Sequence, residues 1–149
     1  MAIRVSLDPS TEIVLADASA SIALPTSATD GVSIGVTRQA GGAGAWKENN
    51  QAHADAAIFV ETSQATTLSA ALGLFGYRAD TSYWYLLGAL NGGSAITTPN
   101  AAVGISTIVE FAGVYDRLAV GPFTGSTAVT PGAGTITVRA TMIRQVSGN

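Results

Sequence analysis

The sequence contains no cysteine. That excludes disulfide staples, thiolate metal centres and cysteine nucleophiles, and leaves the redox compartment open. It has one histidine, His53, and one lysine, Lys47. Only 11% of its residues are charged, against about 25% in ordinary soluble domains. No run of Lys or Arg exists, so no electrostatic footprint for nucleic acid is present. The apolar runs are short and broken by Gly, Ser or Thr, far below the roughly 18–20 residues of a membrane span. Met1-Ala-Ile-Arg-Val has no apolar stretch of the signal-peptide kind. The expectation is a soluble chain made in a cytoplasm, with no nucleic-acid partner, no membrane partner and no cofactor.

What is abundant is small and neutral. The apolar fraction is 47% and glycine numbers 17. With so little charge, Ser, Thr, Gly, Ala, Asn and Gln must cover most of the surface. Such a surface repels neighbours weakly and suits a component packed against other subunits. A secreted or neutral globular domain is the plainer alternative. At 149 residues the chain is long enough for one domain with a real core.

Period-two alternation dominates. Met1–Leu7 reads as a first strand, ended by Asp8-Pro9, and Met1–Ser10 as a candidate N-terminal arm. Glu12–Ala16 and Ser19–Leu24 are short apolar segments on either side of Asp17. Ser27–Gly31 reads as a turn and Val32–Arg38 as a strand. Gln39–Gln51 is an irregular Gly/Ala loop carrying Trp46, read either as a binding loop or as a surface loop pinned by Trp46. Ala54–Thr62 predicts a strand with Ala56, Ile58 and Val60 on one face and Phe59 on the other.

Thr66–Tyr77 carries Leu68, Ala70, Leu72 and Leu74 at period two. A helix is the competing reading there, since Leu68, Ala71, Leu72 and Phe75 also fit helical spacing. Tyr83–Leu90 is apolar or aromatic on both faces, which predicts burial on both sides. The short link Arg78–Thr81 predicts a hairpin between these segments. Ile105–Val120 reads as two strands with a kink at Ala112–Gly113. Gly121–Gly134 reads as a loop, Thr135–Ile143 as a cleanly alternating strand, and residues 145–149 as a frayed tail. The sum is an all-β fold, an antiparallel β-sandwich or jelly roll of about eight to ten strands.

Candidate chemistry is sparse. His53 and Asp55 share a strand face, but a metal site needs three or four convergent ligands. No Gly-x-Ser-x-Gly elbow marks one serine as a nucleophile. Gly41–Gly44 lacks the Gly-Lys-Ser/Thr ending of a phosphate loop. No catalytic, cofactor or metal residue is assigned. Trp46, Tyr83, Trp84, Tyr85 and Tyr115 are of the kind that stack on sugars, although core packing explains most of them as well. Tyr115-Asp-Arg117 is the most distinctive polar cluster. One of Asp116 and Arg117 must face an apolar side, so a partner is expected: Arg139 or Arg144 for Asp116, or Glu110 for Arg117. A structural corner is the first reading and a subunit contact the second.

The segment Phe111-Ala-Gly-Val-Tyr-Asp-Arg-Leu-Ala-Val120, with Gly134-Thr-Ile-Thr-Val-Arg-Ala140, resembles the C-terminal half of small all-β structural proteins of tailed bacteriophages, among them capsid decoration (cement) proteins. The resemblance implies a β-domain on the virion's outer capsid surface, commonly a trimer at three-fold positions. Its partner would be the major capsid protein lattice, which it would stabilise by non-covalent bridging. It implies no catalytic residues. The contact candidates are Trp46, Tyr83, Tyr85, Leu87, Asp116, Arg117, Pro122 and Phe123. A carbohydrate- or receptor-binding module of a tail or fibre is the alternative function.

Overall fold

The computed structural model describes residues 2–34, 53–110 and 115–148, and their side chains over residues 12–34, 56–110 and 115–142. The fold is all-β. Twelve strands are present among the described residues, five of them only two residues long: β1 (Ala2–Ser19), β2 (Ile22–Ala23), β3 (Val32–Ser33), β4 (His53–Thr62), β5 (Thr66–Thr67), β6 (Leu72–Arg78), β7 (Tyr83–Ala89), β8 (Thr97–Thr98), β9 (Ile105–Glu110), β10 (Arg117–Pro122), β11 (Ala128–Val129) and β12 (Ile136–Gly148).

The pairing is nested. β1 lies antiparallel to β12, β2 to β11, β3 to β10, β4 to β9, β5 to β8 and β6 to β7. The chain is therefore one long hairpin ribbon. Its tip is the β6–β7 turn, and its two ends, Ala2 and Gly148, are ladder partners. The ribbon coils on itself, so that β12 also pairs with β4 and β10 with β6. Two four-stranded sheets result, ordered β1-β12-β4-β9 and β3-β10-β6-β7. This alternation of nested pairs between two sheets is jelly-roll topology.

The inward positions of both sheets form one core. Ala56, Ile58 and Val60 of β4, Val109 of β9 and Ile136, Val138, Ala140 and Met142 of β12 meet Leu72 and Leu74 of β6 and Leu118 and Val120 of β10. The alternation expected for β4 and β12 is the one observed. Between the sheets' ends, the hydroxyls of Thr62 and Thr98 are buried together at 2.5 Å, and Thr62 also donates to the Gln64 carbonyl at 2.9 Å. Each buried hydroxyl is thereby satisfied.

Several expectations change. β1 does not stop at Asp8-Pro9 but continues to Ser19, with a register shift between Leu7 and Glu12. A proline is tolerated there because β1 is an edge strand and the irregularity needs no ladder N–H. The segments read as an arm and a frayed tail are ladder partners, Ala2–Val5 with Gln145–Gly148. Thr66–Tyr77 is neither one strand nor a helix: it breaks at Ser69–Ala71 into β5 and β6. Ile105–Val120 is not one kinked pair, since β9 and β10 belong to opposite sheets. The kink residues 111–114 lie outside the described residues, as do Trp46 and most of Val32–Arg38. Gly121–Gly134 is not all loop, because β10 runs through Pro122 and β11 follows.

Burial on both faces belongs to β6 and not to β7. Gly73, Phe75 and Tyr77 are buried on the outer side of β6 as Leu72 and Leu74 are on the inner. β7 is an edge strand, with Tyr83, Tyr85 and Leu86 exposed.

Candidate functional site

The polar cluster at Asp116–Arg117 opens β10 and is satisfied within the chain. The Asp116 carboxylate accepts the Ala79 N–H at 2.7 Å, its backbone N–H donates to the Tyr77 carbonyl at 2.8 Å, and its carbonyl accepts the Ile34 N–H at 3.1 Å. The Arg117 guanidinium donates to three carbonyls of one loop: Asp30 at 2.7 Å, Gly31 at 2.8 Å and Thr29 at 3.3 Å. These bonds take the place of the expected pairing of Arg117 with Glu110 and of Asp116 with Arg139; the other partner expected for Asp116, the Arg144 side chain, lies outside the described residues. The reason is topological: Glu110 and Arg139 belong to the other sheet.

The loop that Arg117 holds is folded by its own sequence. The Asp30 carboxylate accepts the Thr26 and Ser27 N–H groups at 2.9 and 2.8 Å. Those bonds, Thr26 first and Ser27 second, with a smaller pull from Arg117, hold the Asp30 carboxyl below its ordinary range. Gly31 has φ +69°, and a Cβ there would overlap the Leu118 carbonyl. The Trp84 indole N–H donates to the Ser27 carbonyl at 3.0 Å, and its ring lies 5.2 Å from that of Tyr77. Pro25 packs against Gly121 of β10. Residues 25–31 thus cover outer positions of β10 and β6 in the β3-β10-β6-β7 sheet, while Leu86 of β7 stays exposed on that side.

Among the described residues, the outer face of the β1-β12-β4-β9 sheet carries exposed apolar side chains, although Thr141 of β12 is buried there. Register places Val14, Arg139, Phe59 and Ser106 in one row across its four strands, and Glu12, Thr141, Ala57 and Ile108 in the next. Phe59 is 42% exposed and Ile108 65%. Arg139, in the middle, bonds Glu61 at 2.7 Å and lies 3.9 Å from Glu12. Its charge is thereby matched within the face, and the hydrogen bond to Glu61 raises its pKa. A shallow groove runs beside it, lined by Glu12, Phe59, Glu61, Gly104, Ser106 and Arg139.

A third feature is the β6–β7 tip. Arg78 forks onto Asp80 with bonds of 3.0 and 2.6 Å, which raise the Arg78 pKa. The Tyr85 hydroxyl donates to Thr81 at 2.9 Å. Tyr83 is 67% exposed. Its ring lies 6.5 Å from that of Tyr85, and the Tyr85 ring lies 6.3 Å from that of Tyr115.

Of the contact candidates, then, the structure brings Tyr83 and Tyr85 together at an exposed edge. Asp116 and Arg117 are half-buried and spent on internal bonds. Leu87 is half-buried against the core. Pro122 is buried, and Phe123 packs beside Gly73 and Gly93. Trp46 and the side chains of His53 and Asp55 lie outside the described residues. No group of three or more His, Asp or Glu that could hold a metal ion occurs among the described residues. Phe59 lies on the face opposite Ala56, Ile58 and Val60, as its place in the alternation predicts, and Val14 and Ile108 join it there, although none of the three is among the contact candidates. The signal was present: large apolar side chains at the outward positions of otherwise alternating strands. No protein-family model matches the chain, and no curated protein matches it.

Proposed function

We propose that this protein is a virion structural component, a capsid decoration protein that binds the outer shell and bridges coat subunits without covalent chemistry. One observation carries the reading. The two outward sheet faces are treated differently: a loop of the chain covers β10 and β6 on one, and among the described residues the other carries exposed Val14, Phe59 and Ile108 around Arg139, which is bonded to Glu61. Exposed apolar side chains around a cation already bonded within the face suit a surface that a partner covers. The jelly-roll frame and the resemblance at residues 111–140 agree with that role. A partner that binds only the assembled lattice stabilises that lattice by mass action. The trimer implied by the resemblance would multiply weak contacts by avidity.

The test is addition of purified protein to coat shells lacking it. Saturable binding at a fixed ratio to the coat subunit, with a raised shell-dissociation temperature, is the expected result. Absence of binding at micromolar concentration overturns the proposal.

The Tyr83–Tyr85–Tyr115 cluster favours a second reading, a carbohydrate- or receptor-binding module of a tail or fibre. Exposed aromatic faces held in place are what sugar stacking uses. Glycan-array binding lost on Tyr83→Ala would support it, and a blank array counts against it.

A further inference from the structure

We propose that β7 is a pairing edge that joins two copies of this chain, antiparallel about a two-fold axis, into one continuous sheet.

β7 is last in its sheet, and its one ladder partner among the described residues is β6. Among the described residues its outer edge therefore presents an unpaired row of backbone donors and acceptors, which is a template for another strand. Natural sheets usually blunt such an edge with charge, proline, short length or bulges. The other edges here do so. β1 contains Asp8-Pro9 and three register shifts, β3 is two residues long, and β9 carries the charge of Glu110. β7 reads Tyr-Trp-Tyr-Leu-Leu-Gly-Ala, with no charge and no proline. Its single irregularity lies where Leu74 and Phe75 face Gly88 and Leu86, which leaves Tyr83–Leu86 regular.

The pattern of exposure says what kind of contact the edge takes. Register puts Tyr85 on the same side as Gly76, the core side, and Leu86 on the side of Phe75, the outer one. Tyr83 shares the side of Tyr85. Yet all three are exposed, Leu86 at 47%. A partner docking on one face would cover one set only. An added strand covers both, because its own side chains alternate.

The occupant is a second copy because the strand is its own complement. Antiparallel pairing about a two-fold sets aromatic and aliphatic side chains opposite one another, with no like charges to repel. The edge is also pre-organised. Trp84 is tied to Ser27, Tyr85 to Thr81, and the turn before them is clamped by Arg78–Asp80. Little ordering entropy remains to be lost on pairing. This contact does not depend on the capsid reading.

The experiment is sedimentation equilibrium over a concentration series, with the wild type, Leu86→Lys and Ile108→Lys. The wild type and Ile108→Lys should self-associate alike. Leu86→Lys, with a charge on the edge of each copy, should raise the dissociation constant about tenfold or more, at an unchanged circular dichroism spectrum. Amide protection along β7 should rise with protein concentration. A wild type monomeric at every concentration overturns the proposal, as does an oligomer that Leu86→Lys leaves intact. Shell binding by a strict monomer would support the decoration role while overturning this contact. A dimer that ignores shells would do the reverse.

Discussion

Arg117 meets Asp30 through the backbone: its Nε donates 2.7 Å to the Asp30 carbonyl, while the Asp30 carboxylate turns away to the Thr26 and Ser27 N–H groups. The two charges are thus used as fasteners of a loop and not as an ion pair. A guanidinium is suited to this, because its planar fork reaches three carbonyls at once.

Arg117→Ala should cost about 2 kcal/mol, since a half-buried cation bonded to three carbonyls is removed and the carbonyls of residues 29–31 lose their donor. Arg117→Lys should recover only part, because one ammonium is a point donor without the fork. Urea midpoints for the three proteins, with unchanged slope, check the order wild type, lysine, alanine.

Gly31→Ala should be as damaging. The left-handed φ of +69° is strained for any side chain, and the new Cβ would overlap the Leu118 carbonyl. A loss of about 1–3 kcal/mol follows. Because Trp84 is bonded to Ser27 in the same loop, its fluorescence should shift red as the loop lifts. An unshifted spectrum with wild-type stability would contradict the covering role.

Asp30 makes stability depend on acid and not on neutral pH. Its folded pKa lies below the ordinary 3.8. Its contribution is therefore complete above that value and is lost as pH falls through the lower, folded pKa. The group is only partly covered, so the effect is small, under about 1 kcal/mol. Wild type and Asp30→Asn should differ by a constant amount from pH 7 to 5, and the gap should close below about pH 4. Thermal melts at five pH values give the curve. A gap that widens in acid would show the sign to be wrong.

Ile108→Thr should leave stability within about 0.5 kcal/mol, as a surface change to another β-branched residue. It should nonetheless weaken shell binding, since Ile108 is the most exposed large apolar side chain on the outer face of the β1-β12-β4-β9 sheet among the described residues. Unaltered binding by this variant and by Phe59→Ser would remove that face from the interface.

Refolding should be slow for the chain's size, with a main phase in milliseconds to seconds. Every ladder but β6–β7 closes a long loop, up to the pairing of Ala2 with Gly148. Stopped-flow tryptophan fluorescence measures it. A microsecond phase carrying the full amplitude would not fit a nested ribbon.

Local alternation was enough to identify the strands of the core. Ala56, Ile58 and Val60, and Ile136, Val138, Ala140 and Met142, were legible because a half-buried strand repeats every two residues. The β6–β7 hairpin was legible because its link is four residues. Turn chemistry made Ser27–Gly31 readable through Asp30 and Gly31. What was misread lay wherever burial on the second face depends on a distant segment. Tyr83–Ala89 looks more buried than Leu72–Arg78 by composition, yet β7 is the edge and β6 the centre. Two neighbours, β10 and β7, flank β6, and only the pairing of residues 117–122 with residues 72–77 decides that.

The candidate surfaces divide the same way. An all-β chain, its inward faces and a surface poor in charge are legible one segment at a time. Those follow from side-chain chemistry and period-two geometry alone. Tertiary structure decided that Arg117 would fasten a loop, that Pro122 would be buried, and that Val14, Phe59 and Ile108 would share an outward face. Those depend on nested pairing between residues more than eighty positions apart for Arg117 and its loop. No local pattern encodes such a register: what selects it is the single arrangement in which all the inward faces share one core.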